Sequence, residues 1–293
     1  MNLAILTLLL CTDQSALPPL AEVPNYLQDI SVTIKAGTTE GSGVVKTRDV
    51  DGKSVNFVWT AAHVVDGLRQ TEEVIDPKTG TKRVKVTFKD AAVVKELIED
   101  GRRVGELKMD AIVIRYSKDE DLALLRIRKR DFVKPSVVFY LDEKIPSVGT
   151  DLFHVGSLLG QMGSNSLTSG IISQIGRILD KSEYDQSTCT AFPGSSGGGV
   201  YLRDGRYVGM LTRGAGEGFN LCVPVRRIVK WAKTANVEWA IDDRVKIPST
   251  EDLDKMLIED TGTDFSDSKI ANQKYVDFPT LIRQVAPITE GVQ

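Results

Sequence analysis

Pro193-Gly194-Ser195-Ser196-Gly197-Gly198-Gly199 runs directly into Val200-Tyr201-Leu202-Arg203-Asp204-Gly205-Arg206-Tyr207-Val208-Gly209-Met210-Leu211. Glycines on both sides of a serine permit a sharp turn with positive φ and close approach of another molecule. Successive backbone N–H groups in such a turn can converge on one anion. Three readings compete: a phosphate cradle, a plain glycine-rich loop, and a turn that presents a nucleophile beside an oxyanion hole. A phosphate loop would follow G-x-x-x-x-G-K-[ST] and lead into a helix. Here no lysine follows, and the chain returns to an extended, apolar-rich run.

The same texture extends outward in both directions. Short β-prone runs split by glycine and polar clusters recur at 31–37 (SVTIKAG), 43–47 (GVVKT), 84–88 (VKVTF), 122–127 (LALLRI), 167–173 (LTSGIIS) and 207–213 (YVGMLTR). That spacing predicts an all-β sandwich or barrel. No long helical periods alternate with these runs, so a parallel βαβ architecture is disfavoured. The one strong helix signal follows Pro224, where Val225, Ile228, Val229 and Ala232 fall on one face. The polar stretch 69–83 (RQTEEVIDPKTGTKR) reads as a surface loop.

The chain has 293 residues, 41% hydrophobic and 26% charged, which excludes disorder as the main state. A net charge of −3 provides no basic surplus for nucleic acid or an anionic membrane. Residues 1–28 read as an apolar N-terminal segment. Leu3–Leu10 is too short to span a bilayer, and reads either as the core of an export signal or as an arm packed on the body. Export to a periplasm or beyond is slightly favoured over a cytoplasmic or virion-associated location. Residues 29–235 form the main domain and 236–293 an acidic extension. From Asp242 onward eleven acidic residues stand against six basic ones, and a short helix is expected near Glu251–Asp260. Cys11, Cys189 and Cys222 are too few and too scattered for a disulfide framework or a zinc site.

Two further stretches carry chemistry. Trp59-Thr60-Ala61-Ala62-His63 ends an apolar run on small residues and a histidine. Asp121-Leu122-Ala123-Leu124-Leu125 opens an apolar run on an acid. A carboxylate there is partly buried and needs a donor. Each alone reads as an ordinary structural residue. Together they supply what a hydroxyl nucleophile needs: a base, and an acid that orients the base. The order His, Asp, Ser matches one of the known convergent arrangements.

Through these motifs the chain resembles the trypsin-like serine peptidases, closest to the HtrA/Deg heat-shock protease branch. The resemblance spans about Ser31 to Lys233. It includes Gly41-Ser42-Gly43-Val44-Val45, Leu167-Thr168-Ser169-Gly170-Ile171-Ile172-Ser173, Gly209-Met210-Leu211-Thr212 and Phe219-Asn220-Leu221-Cys222-Val223-Pro224. It implies two packed six-stranded antiparallel barrels, followed by a C-terminal helix and the acidic tail, with the site between the barrels. It implies His63, Asp121 and Ser196 as a triad, and picks Ser196 over Ser195 because Ser196 directly precedes two glycines. The N–H groups of Gly194 and Ser196 would form the oxyanion hole, and Thr212 would lie beside Asp121 and could hydrogen-bond it. Thr190, Thr212, Arg213 and Gly214 would contact substrate. None of the pocket stretches supplies a carboxylate, so cleavage after small or medium apolar residues is expected, with Glu217 as the acid nearest the pocket. His154, the only other histidine, is expected to be structural. Cys189 and Cys222 would lie side by side, either bonded or as two buried thiols. No PDZ module is read after Lys233. The reading needs no metal or organic cofactor, and the implied partner is a polypeptide substrate. The alternative is a catalytically silent binding or structural protein on the same fold, such as a virion or assembly factor.

Overall fold

The computed structural model describes residues 17–75, 80, 82–214, 218–256 and 259–260. Leu3–Leu10, Cys11, Glu217 and the acidic tail from 261 onward lie outside the described residues. Fifteen strands and four α-helices are assigned within them. A short helix α1 (Val23–Asp29) leads into β1 (Ser31–Ala36), β2 (Thr39–Val50) and β3 (Lys53–Thr60). After helix α2 (Ala62–Val65) come β4 (Arg69–Ile75), β5 (Lys82–Phe88), β6 (Ala91–Glu99), β7 (Arg102–Ser117) and β8 (Leu122–Ile127). The second half holds β9 (Asp151–Leu158), β10 (Gly163–Leu179), β11 (Ser182–Ser187), β12 (Gly199–Leu202), β13 (Tyr207–Gly214) and β14 (Asn220–Pro224). Helices α3 (Val225–Thr234) and α4 (Thr250–Asp254) and the two-residue β15 (Glu259–Asp260) complete it.

The strands close into two rings. In the first half the order β7-β6-β1-β2-β3-β8 returns to β7 through β7–β8 pairing, and β15 adds to β7 in parallel. In the second, β10-β11-β14-β13-β12-β9 form a closed barrel. This is the trypsin-like double barrel. All twelve ring strands pair antiparallel, as hairpin-connected runs allow. Closure removes the unpaired edges that a sheet of short strands would expose.

The stretch 69–83 is not a loop. β4 and β5 pair over seven positions, from Arg69↔Phe88 to Ile75↔Lys82, as a hairpin projecting beyond the ring. Most of β4 is exposed, so this strand lacks the apolar alternation by which a strand is recognised in sequence.

Helix α3 starts at Pro224, which has extended backbone angles and a missing N–H that would be unpaired there anyway. It buries Val225, Ile228, Trp231 and Ala232. Residues beyond it pack on the first barrel. Trp59, fully buried, donates its indole N–H to the Ala240 carbonyl at 2.9 Å and meets Trp231 edge-on. Arg48 donates to the carbonyls of Trp239, Asp242, Asp243 and Val245. Lys46, 1% exposed, pairs with Asp243 at 2.7 Å. The expected helix near 251–260 is α4, capped by the Ser249 hydroxyl, which accepts from the Asp252 amide. No described helix is long and apolar enough to cross a membrane.

Candidate active site

The barrel register explains how residues 58 positions apart meet. β3 and β8 run antiparallel with Thr60 opposite Ala123. His63 stands three residues past the end of that pairing and Asp121 two residues before it, so both emerge at one end of the ring. Asp121 takes a left-handed conformation (φ 53°) in a turn closed by its own N–H on the Lys118 carbonyl. Its Oδ1 accepts the His63 backbone N–H at 3.1 Å, and its two oxygens lie 2.9 and 3.0 Å from His63 Nδ1. A carboxylate only accepts, so Nδ1 carries the proton and Nε2 is the edge left over. Burial works to lower the His63 pKa, but the Asp121 charge and hydrogen bond outweigh it and raise it above the ordinary 6.5. The His63 side chain is 42% exposed and that of Asp121 is 13% exposed.

Arg227, from α3 of the other half, braces the turn that carries the acid. Its guanidinium donates to the Glu120 carboxylate at 2.7 Å and to the Glu120 carbonyl at 3.3 Å. The sequence reading missed this residue. Its only signal was an arginine on the otherwise apolar side of the helix.

The serine arrives from the second barrel. Phe192-Pro193-Gly194-Ser195 forms a turn closed by the Ser195 N–H on the Phe192 carbonyl at 2.9 Å, with Gly194 at φ 97°. Proline followed by a glycine at positive φ is the signature of a type II turn. Gly197 is the next constrained point. At φ 87° a Cβ there would collide with the Ser42 carbonyl oxygen and with Thr60 Oγ1. That close approach seats Ser196 against the strand end that leads to His63, and the Ser196 carbonyl accepts the Ser42 N–H at 2.7 Å. The amides of Ser195, Gly197 and Gly198 donate within the protein, whereas among the described residues those of Gly194 and Ser196 donate to nothing. Ser195 is fully buried, and its hydroxyl accepts the Phe192 N–H at 3.2 Å. Ser196 Oγ donates to the Thr212 carbonyl at 3.4 Å and is not hydrogen-bonded to His63.

Around the serine, the Thr190 carbonyl is held by Thr168, and Arg213 pairs with Asp180 at 2.9 Å. Among the described residues the Thr212 hydroxyl has no hydrogen-bond partner, so it does not hydrogen-bond Asp121 as expected. Asn220, fully buried, donates to the Cys189 carbonyl, and among the described residues its Oδ1 is unpaired, where a Cβ on Gly214 would strike it. Cys189 and Cys222 are both buried free thiols. His154 lies on β9, fully buried, with Nδ1 2.9 Å from the Gly199 carbonyl. Among the described residues no three His, Cys, Asp or Glu side chains cluster as a metal site would require.

Residues 41–210 match the trypsin-like peptidase domain family. The chain is 30% identical over 157 residues to the serine protease Do-like HtrA of Lactococcus lactis subsp. cremoris, covering 50% of this chain and 38% of that protein. It is 27% identical over 233 residues to the serine protease HtrA-like of Staphylococcus epidermidis, covering 73% and 34%. The matches therefore span little more than a third of each relative's length. Among solved structures, the serine endoprotease from Yersinia pestis superposes with a TM-score of 0.54 at 19% identity, covering 75% of this chain and 67% of that one. An HtrA-type protease with tripeptide gives 0.53 at 19% identity, covering 75% and 64%. At that identity the likeness is one of fold.

Proposed function

This chain belongs to the trypsin-like peptidase family, with HtrA-type proteins among its relatives, and on that premise we propose that it is a serine endopeptidase working through His63, Asp121 and Ser196. The observation that carries the reading is the clamped imidazole. Both Asp121 oxygens and one backbone contact fix His63 with Nε2 as its remaining nitrogen, and the glycine turn abuts the strand end that leads to His63.

In this mechanism Nε2 takes the proton of Ser196 Oγ as the oxygen bonds to the carbonyl carbon of the substrate. The carbonyl oxygen becomes an oxyanion held by the undonated amides of Gly194 and Ser196. The imidazolium, stabilised by Asp121, then protonates the departing amine as the C–N bond breaks, leaving an ester on Ser196. Water attacks that ester with Nε2 again as base, which restores the hydroxyl. The long Ser196–Thr212 contact gives way when substrate enters, since catalytic hydrogen bonds tighten only in the complex.

The acyl-side residue sits among Thr190, Thr212, Arg213 and Gly214. The described residues there supply no free carboxylate, and Arg213 is committed to Asp180. A substrate arginine or lysine would lose its hydration without an anionic partner. Small or medium apolar residues such as Val, Ala or Leu are preferred.

The direction of Ser196 toward Thr212 also fits a second reading, a silent binding protein. A fluorophosphonate probe separates the two, because it labels only an activated serine. Labelling of the wild type and of Ser195→Ala, but not of Ser196→Ala or His63→Ala, is expected. An unlabelled wild type would leave the silent reading standing. A peptide library tests specificity, and cleavage dominated by Arg or Lys would sink the pocket assignment alone.

A further inference from the structure

Ser42 sits between Gly41 and Gly43 on β2 of the first barrel and is fully buried. A hydroxyl shut away from water must be paired, and this one is paired twice. The Ser157 N–H lies 2.7 Å from Oγ and can only donate, so Oγ accepts there. The hydroxyl proton goes to the Gly194 carbonyl at 2.7 Å, which can only accept. The Ser42 backbone N–H donates to the Ser196 carbonyl at 2.7 Å. The Ser42 carbonyl accepts the Thr60 hydroxyl of β3, also at 2.7 Å. Each hydrogen-bonding group of this residue is thereby engaged, and two of them reach into the glycine turn.

The two carbonyls so held belong to the residues whose amides are assigned to the oxyanion. Each of those amides is aimed by the carbonyl of its own peptide unit, because N–H and C=O of a trans unit point opposite ways. The Pro193 carbonyl turns to the Leu159 N–H at 2.7 Å, and the Ser195 carbonyl to the Gly198 N–H at 3.0 Å. These bonds set the direction of the amides, but both lie within the second half of the chain. They do not fix the turn relative to His63, which stands on the first. Ser42 does, since it grips the peptide units on either side of the Ser196 amide from a strand of the first barrel. A Cβ on Gly41 would fall 2.5 Å from Val64 and 3.1 Å from the Ser196 carbonyl oxygen, so the glycine lets β2 come this close.

We propose that Ser42 is a positioning residue for the oxyanion hole, its hydroxyl and amide together holding the Gly194 and Ser196 donors where the tetrahedral oxygen forms. This rests on the peptidase reading above. A shift of about 1 Å in such a group costs about a hundredfold in rate. The bonds to that oxygen strengthen only in the transition state, so the loss falls on kcat rather than KM. The test is Ser42→Ala, assayed on a quenched peptide with an apolar residue at the cleaved bond. Rates are taken per active site counted by fluorophosphonate labelling run to completion. A peptide boronic acid, whose adduct on serine mimics the tetrahedral intermediate, reads the hole separately. In Ser42→Ala kcat should fall about tenfold to a hundredfold with KM within about threefold, and boronate affinity should weaken by the same factor. Ser31→Ala, which removes a buried hydroxyl bonded to the Leu27 carbonyl at 2.7 Å, should keep both at the wild-type level. If Ser42→Ala does not fold, Ser42→Cys, close in shape but a weak donor, carries the test with the same expectation. Wild-type kcat and boronate affinity in a folded Ser42 variant, a loss confined to KM, or an equal loss in Ser31→Ala overturns this inference only. A wild type neither labelled nor active overturns the peptidase reading, and the inference with it.

Discussion

Lowering the pH toward 4 should cost the folded state about 3 kcal/mol through one side chain, His154. The ring is fully buried in the second barrel and donates from Nδ1 to the Gly199 carbonyl. Among the described residues its Nε2 has no partner, and Cβ atoms built on Gly156 and Gly198 would lie 2.9 and 2.7 Å from ring atoms. A second proton would place an unpaired N–H and a charge in that wall. Burial therefore pushes the pKa down to about 4, from 6.5. In the unfolded chain the same imidazole binds its proton near 6.5. Between those values the unfolded state holds more protons than the folded one, so stability falls as pH falls through that window. At roughly 1.4 kcal/mol per pKa unit the full loss is about 3 kcal/mol, complete once pH drops below the folded value. Urea unfolding at half-unit pH steps, compared with His154→Asn, isolates the contribution, because the carboxylates are common to both. With two imidazoles in the chain, an NMR titration reports each directly. Parallel stability curves between pH 6.5 and 4, or a His154 resonance titrating near 6.5, would refute the reasoning.

Other outcomes follow from the same geometry. The rate of peptide hydrolysis should rise with pH through an apparent pKa above 6.5, as His63 loses the proton that Asp121 helps it keep; a flat profile with chemistry limiting contradicts a histidine base. Gly197→Ala should abolish fluorophosphonate labelling, since its methyl meets the Ser42 carbonyl and Thr60 at φ 87°, and near wild-type labelling would disprove this seating of Ser196. Asp243→Ala should lower unfolding stability by about 2 kcal/mol by leaving buried Lys46 without its carboxylate. No change in the urea midpoint would show that Lys46 reaches water instead.

An all-β sandwich or barrel was legible because the ring strands include short β-prone runs cut by glycine and polar turn residues, as at 122–127 and 207–213, whereas the double barrel came only from the resemblance. Strand β4 was not, since it is exposed along most of its length and so has no apolar periodicity to read. The motifs around His63, Asp121 and Ser196 could be singled out because each holds small residues or an acid heading an apolar strand, while the choice of Ser196 over Ser195 came from the resemblance. Their supports could not. Trp59 acts through the carbonyl of Ala240, which leaves no mark in the sequence, and Arg227 pairs with Glu120, a carboxylate 107 residues away that no local pattern marks. The Thr212 expectation failed for a related reason. A side-chain hydroxyl's direction depends on local strand twist and register, and β13 and β14 shift register between Leu211 and Arg213.

The bracing of the Asp121 turn by Arg227, with Trp59 and Arg48 anchored on residues 239–245, bears on how the molecule is made. A ribosome emits the histidine and the acid early and these anchors more than a hundred residues later. Until they emerge, the acid's turn lacks its brace and the first barrel lacks part of its packing. A nascent or prematurely ended chain would thus carry all three residues of the proposed triad without the brace on its acid, a safeguard that needs neither a propeptide nor an inhibitor.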